Sequence, residues 1–243
     1  MPKRRSLNAL SLALAGALAL GAGSASAADP QTLASLNADP LRLYGGAIDF
    51  DVYRNGDKVG FHEVRFNGEP DDLTVSTRFQ VEVDVLFFTA YRFDYASEGR
   101  WRGDELLRLT VSVDDDGNAN EIDAVREADR FTVANSEEAF ETEAPLFPTN
   151  HWNPRVVTQD RVLNTLTGRV NSVSIEPKAR EIVATERGAV PATRYAYSGQ
   201  LETEVWYDDE GRWVKMRFEG RDGSEIEYVC RRCQGLELAH ASP

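Results

Sequence analysis

The sequence predicts a mainly β protein: one large antiparallel sheet of about 10–12 strands, curled into a barrel or half-barrel, with one central α-helix. Three observations carry that expectation. From Gly46 onward apolar residues recur at every second position, the period of a half-buried strand. Gly, Asn and Asp clusters such as Asn55-Gly56 and Asp114-Asp115-Asp116-Gly117-Asn118 interrupt the alternation at short intervals. Only one stretch, Asn153 to Gly168, combines capping residues with helical spacing.

The first 27 residues stand apart. Lys3, Arg4 and Arg5 give a basic start, an uncharged Leu- and Ala-rich run follows, and Ala25-Ser26-Ala27 supplies the small residues of a cleavage site. That is the layout of a secretory signal peptide. The apolar stretch from Ala9 to Ala22 is shorter than the roughly 20 residues that a membrane-spanning helix needs. The expectation is export to a bacterial periplasm. Residues 28–45 read as an N-terminal leader with a short helix around Gln31 to Leu36, residues 46–238 as a single β-rich domain, and residues 239–243 as a polar tail holding His240.

The strands follow in order. Ile48, Phe50 and Val52 share one face, against Asp49, Asp51 and Tyr53. Asn55-Gly56 supplies a tight hairpin turn. The return strand places Val59 and Phe61 on one side and His62, Val64 and Phe66 on the other. Leu73 to Val85 alternates most cleanly, with Val75, Thr77, Phe79, Val81 and Val83 on one face. Leu86 to Tyr95, with Phe87, Phe88, Tyr91 and Phe93, is apolar on both faces, as in a covered or bulged strand. Leu107, Leu109, Val111 and Val113 form the next strand, and a hairpin is expected through Ile122 to Val133. Asn153 as N-cap and Pro154 at the first helical position open the predicted helix, with Val156, Val157, Leu163 and Leu166 as its buried stripe and Gly168 as its end. Strands resume over Val170 to Ile175, Ile182 to Thr185 and Thr193 to Tyr197. A meander through Gln200–Tyr207, Trp213–Glu219 and Glu225–Cys230 completes the sheet. An outer-membrane barrel is disfavoured, because many polar faces are charged and the chain ends in Ala239 to Pro243 instead of a strand.

Charge narrows the partners. The chain carries 40 acidic and 27 basic residues, a formal net charge of −13. Loss of the three basic residues of the first segment moves that to −16. Such an excess opposes binding to nucleic acid or to anionic lipid.

Motifs for chemistry are few. His151-Trp152-Asn153-Pro154 sets a titratable group, a stacking face and an amide at a loop-to-helix junction, though capping and core packing account for the same residues. His62 faces the inside of the curl. If His62 and His151 met there, they could act as acid and base near neutral pH. Two His without a carboxylate partner make an incomplete metal site. Cys230 and Cys233, in an exported chain, point to a disulfide, which requires the chain to turn at Arg231-Arg232. A redox Cys pair needs a helix N-terminus that this context lacks, and a zinc ribbon needs a second pair. Asp114 to Asn118 is a turn, since adjacent acids lack the alternation of a calcium loop. No phosphate loop, nucleophile elbow or dinucleotide fingerprint is present.

Several stretches together resemble a family of exported proteobacterial proteins of the domain-of-unknown-function 6134 type. They are Phe50-Asp51-Val52-Tyr53 with Asn55-Gly56, Val59-Gly60-Phe61-His62, His151-Trp152-Asn153, Leu163-Asn164 with Thr167-Gly168, and Val205-Trp206-Tyr207-Asp208 with Gly211-Arg212-Trp213-Val214. The resemblance spans nearly the whole segment after residue 27 and implies no activity. A looser likeness, of architecture alone, is to periplasmic half-barrels that carry lipoproteins, which use an apolar cavity under a lid of helices. This chain offers one helix for such a lid.

The leading expectation is a periplasmic binding or carrier module that holds an apolar or amphipathic ligand. His62, Phe88, Tyr91, His151, Trp152, Asn153 and Trp206 are its candidate ligand-binding residues, and no cofactor or metal is called for. A structural envelope protein with a filled core that binds another protein, and a cofactor-independent enzyme using His62 and His151, are the alternatives.

Overall fold

The computed structural model describes Leu33, residues 39–85 and residues 88–235, without the side chains of Val85 and Phe88. The expected signal peptide, the helix around Gln31 to Leu36 apart from Leu33, Leu86-Phe87, the Phe88 side chain and the tail with His240 lie outside the described residues.

A short helix, α1 (Pro40–Tyr44), leads into the sheet. The first half of the sheet comprises β1 (Ala47–Arg54), β2 (Asp57–Glu69), β3 (Asp72–Val85), β4 (Phe88–Arg102), β5 (Glu105–Asp115), β6 (Asn118–Glu127), β7 (Arg130–Ala134) and β8 (Ala139–Glu143). The second comprises β9 (Phe147–Pro148), β10 (Arg161–Leu163), β11 (Val170–Thr185), β12 (Gly188–Gly199), β13 (Thr203–Asp208), β14 (Trp213–Glu219) and β15 (Glu225–Arg232). Their order in space is β8-β7-β6-β5-β4-β3-β2-β1-β15-β14-β13-β12-β11-β10-β9. Every pairing is antiparallel except that of β9 with β10. The 15 strands among the described residues exceed the expected number chiefly through short pieces, β8, β9 and β10, that carry little alternation of their own.

The sheet is curled but open. Its edge strands, β8 and β9, are not paired, yet only Ala144, Pro145 and Leu146 separate them in the chain. At about 3.5 Å per residue that link holds the two edges within roughly 14 Å. Side chains bridge the seam in place of a ladder. Asn120 Nδ2 donates to the Leu166 carbonyl at 2.9 Å and Asn135 Nδ2 to that of Thr167 at 3.1 Å, while Arg169 pairs with Glu137 at 3.0 Å. Gly168 fits this seam because its φ is +71° and a Cβ there would lie 2.8 Å from Asn135 Cβ.

The predicted central helix is replaced by a single 3-10 turn, Pro154–Thr158. Asn153 and Pro154 start it as expected, with Asn153 Oδ1 accepting from the Arg155 amide at 3.0 Å. The chain then breaks, and Arg161–Leu163 becomes β10, flanked by β11 and β9. The open ladder of β11 satisfies the backbone, and the neighbouring Val162 and Leu163 are both completely buried. Leu166, assigned to that stripe, is instead 44% exposed.

The interior lies on the concave face. At one end Trp152 packs edge-on to Trp101 at 5.0 Å and to Phe66 at 5.5 Å. Tyr44 of α1 stacks on Phe66 at 5.6 Å, donates its hydroxyl to the Trp152 carbonyl at 2.9 Å and accepts from the Trp213 amide at 2.9 Å. One phenol thus satisfies two groups on distant segments. Bulges adjust which residues point inward. Leu107 is the extra residue opposite Arg100-Trp101, so Leu106 and Leu109 face the interior together in place of Leu107 and Leu109. Arg231 is the extra residue opposite Asp49-Phe50. That bulge, and not a full turn, brings Cys230 and Cys233 to a Cα separation of 5.8 Å in a disulfide.

Gly60 lies beside a bulge between β1 and β2, where β2 crosses β3 so closely that a Cβ would stand 1.9 Å from the Gln80 carbonyl oxygen. Gly60→Ala is expected to cost roughly 1–3 kcal/mol, read as a lower urea midpoint at unchanged slope. An unchanged midpoint would show that the strands separate freely there.

Candidate functional site

The pleat of β2 turns His62 inward in a row with Phe50 of β1, Phe79 of β3 and Tyr95 of β4. Four aromatic rings surround its imidazole: Phe50 at 6.4 Å, Phe79 at 5.8 Å, Trp213 at 5.4 Å and Tyr228 at 5.1 Å between centroids. Its residual exposure is 8%, and neither ring nitrogen has a hydrogen-bond partner.

His151 reaches the same region from the loop after β9. Its backbone is left-handed, with φ +54°, a conformation that costs a non-glycine residue about 1–3 kcal/mol. Three contacts hold it there. Tyr207 Oη donates to the His151 carbonyl at 2.7 Å, the Trp152 amide donates to the Asn150 carbonyl at 2.7 Å, and the Thr149 amide donates to the Leu163 carbonyl at 3.0 Å. The His151 ring packs against Trp213 at 5.7 Å, and its Nδ1 lies 3.4 Å from Tyr197 Oη. Asn150 Oδ1 accepts from Tyr95 Oη at 3.2 Å.

These groups line a cavity of about 140 Å³. His62, Asn150, His151, Thr149, Thr165 and Thr203 supply its polar wall, and Phe79, Tyr95, Met216, Phe218 and Tyr228 its apolar wall. Leu166, Leu201 and Glu202 line its mouth on the solvent side. Burial lowers the pKa of His62 to about 3, with the neighbouring His151 adding to the shift. Burial alone lowers that of His151 to about 3. Both imidazoles are therefore neutral at pH 7. Burial raises the pKa of Tyr197 and Tyr228, so both phenols keep their protons.

Of the residues that the sequence singled out, the fold brings His62 and His151 to this cavity and sends others elsewhere. Trp206 is a correction. On β13 Thr203, Val205 and Tyr207 face inward, so the pleat turns Trp206 to the outer surface. There Lys215 Nζ and the Arg217 guanidinium cover its ring at 5.1 and 5.6 Å, and its Nε1 donates to Glu181 at 2.9 Å. Trp152 is spent on packing with Trp101 and Phe66 and does not line the cavity. Asn153 caps the 3-10 turn and donates to Asp104 at 3.4 Å. Tyr91 is exposed at the far end of β4, where its hydroxyl donates to Asp115 at 2.8 Å. Asn150, Thr165, Met216, Phe218 and Tyr228 were not singled out. Alternation along β15 and β14 carried a signal for Tyr228, Met216 and Phe218, while nothing local marks Asn150 or Thr165.

Among the described residues, Glu186, Cys230 and Cys233 form the one group of three side chains spaced to hold a metal ion. Both sulfurs are committed to the disulfide. The Glu186 carboxylate instead accepts the Cys233 and Gln234 amides, each at 3.2 Å.

Residues 50–231 match the family described as "Domain of unknown function (DUF6134)". The chain belongs to this family. The matched span of this DUF6134 protein includes both cavity histidines and fourteen of the fifteen strands in full or nearly so, β1 entering at Phe50. A solved structure is also similar, the "Beta-barrel-like Protein of Domain of Unknown Function DUF1849 from Brucella abortus", with a TM-score of 0.56 at 15% identity. The alignment covers 79% of this chain and 98% of that one. At that identity the likeness concerns the fold alone. No curated protein matches the chain.

The buried histidines set an acid limit on stability. A folded-state pKa depressed from 6.5 to about 3 means that the unfolded chain takes up protons first as the pH falls. Their contribution is complete above pH 6.5 and shrinks below it, by up to about 1.4 kcal/mol per pH unit for each ring. Urea midpoints at pH 7.5, 6 and 5 are expected to fall steadily, and His62→Phe to halve the slope. A variant as acid-sensitive as the parent would place the effect elsewhere.

Proposed function

We propose that this DUF6134 protein is an exported binding module that holds a small apolar or amphipathic molecule inside its half-barrel. The observation that carries this reading is the cavity at His62: apolar on most sides, opened to solvent past Leu166 and Leu201, and floored by an imidazole whose nitrogens no protein group satisfies. An apolar pocket with a few convergent polar groups is the usual form of a small-molecule site. A buried polar atom without a partner costs about 1–3 kcal/mol, which a ligand's own polar group offsets. A purely structural core accounts for the Trp101–Trp152 end, where side chains interlock, but not for a cavity at the other. Burial also keeps both imidazoles from titrating near neutral pH, which favours holding a molecule over moving its protons. The basic, apolar and small-residue start of the chain supports export.

The size of the cavity bounds the cargo. About 140 Å³ admits one ring or a short chain, not a whole lipid, so a longer ligand would leave its remainder outside, past Leu201. Gentle purification and native mass spectrometry are expected to show an added mass that denaturation removes. Leu201→Trp, which fills the half-buried mouth with a larger ring, is expected to lose that mass in a protein that still folds by circular dichroism. A bare chain mass in the parent protein, or an adduct equally retained by Leu201→Trp, would count against this placement of the ligand.

A further inference from the structure

Resting on the binding reading, we infer that the cavity selects an uncharged six-membered aromatic ring bearing a hydroxyl group, a phenol-class ligand whose hydroxyl meets His62. Three observations converge. The volume, about 140 Å³, is close to the ~150 Å³ of an apolar protein cavity that takes up benzene. The wall is aromatic, since Phe79, Tyr95, Phe218 and Tyr228 all line it and a flat guest can pack edge or face against them. The third is His62 itself. A neutral imidazole offers one N–H donor and one bare acceptor nitrogen, and here both are buried without a partner. A hydroxyl is the smallest group that both donates and accepts, so one ligand group can serve either nitrogen.

Charge is excluded by the same surroundings. Glu202 is the one charged residue among the described residues that line the cavity, and it lies exposed on the solvent side. No cation stands inside to meet a carboxylate, and Glu202 repels one at the entrance. A ring ammonium would leave water for a site whose histidines offer no negative charge. Specificity therefore lies in a hydrogen bond that an unsubstituted ring cannot make and in a charge that the wall cannot compensate.

The test uses benzene, phenol and benzoate as probes on the parent protein and on His62→Phe, which keeps a ring among the four that surround position 62. Dissociation constants come from protein-observed NMR titration at pH 7. Phenol is expected to bind at least tenfold more tightly than benzene to the parent, and benzoate not measurably. In His62→Phe the phenol and benzene constants converge while benzene still binds, which shows the cavity intact. The parent series stands alone if the variant does not fold. Equal constants for benzene and phenol in the parent, or a phenol preference that survives in a folded His62→Phe, overturn this inference and leave the binding reading standing. Tight benzoate binding overturns the exclusion of charge. If no probe binds while native mass spectrometry still shows an adduct, the ligand class is wrong but the site is not. If no probe binds and the chain mass is bare, both readings fall.

Discussion

The pairing of β1 with β15 is the contact on which the rest of the interior depends. β1 lies in the middle of the sheet, with β2 on one side and the last strand of the chain on the other. That single junction makes two meanders into one surface. It brings His62 from β2 beside Tyr228 from β15, and it sets Phe50 of β1 against Trp213 of β14 at 4.5 Å. Without it the cavity would be two half-walls on separate sheets. The junction is also where the structure is most heavily tied, by the bulge at Arg231, the disulfide beyond it and the Gly235 amide donating to the Leu43 carbonyl at 2.7 Å.

The two faces of the curl divide the work. The concave face is largely aromatic, and its few polar groups are phenols, Ser and Thr hydroxyls, neutral imidazoles and amides. The convex face carries the charge, arranged as cross-strand ion pairs such as Arg108 with Asp123 and Arg130 with Glu141. Pairs this exposed contribute little to stability. Acidic residues exceed basic ones by 13 over the chain as a whole. The buried outer indole of Trp206 shows that even this face covers its apolar groups, with the stems and charges of Lys215 and Arg217.

Much of this was legible in the sequence, and the limits have a common cause. Alternation identified most of the long strands, although it split β11 into Val170 to Ile175 and Ile182 to Thr185, and it put His62 inward, because a period of two needs no knowledge of the neighbours. Two cysteines in a chain read as exported pointed to a disulfide at Cys230 and Cys233, and alternation asked for a turn between them, since a bulge inserts one residue and leaves no mark on composition. Capping residues located the start of the 3-10 turn correctly at Asn153. They could not say that β11 had a free ladder waiting for Arg161–Leu163, which is information held by a strand elsewhere in the chain. Trp206 shows the same limit. Aromatic character alone attached it to a ligand, whereas parity with Val205 and Tyr207 decides its face. Asn150 and Thr165 meet at the cavity only because the loops that carry them converge at the seam of the sheet.

The place of β1 in the middle of the sheet also governs how the chain acquires its structure. About 180 residues separate Phe50 from its partner Cys230, so this pairing closes one of the longest loops in the molecule. During synthesis β1 can find β2 at once but must keep its other side open until the final strand emerges. For that period a strand bearing Ile48, Phe50 and Val52 presents an unpaired edge, the arrangement most prone to joining another chain. Folding of such a sheet is slow for topological reasons, whatever its final stability. A truncation that removes β15 therefore does more than shorten the sheet: it leaves two open edges in place of its central junction.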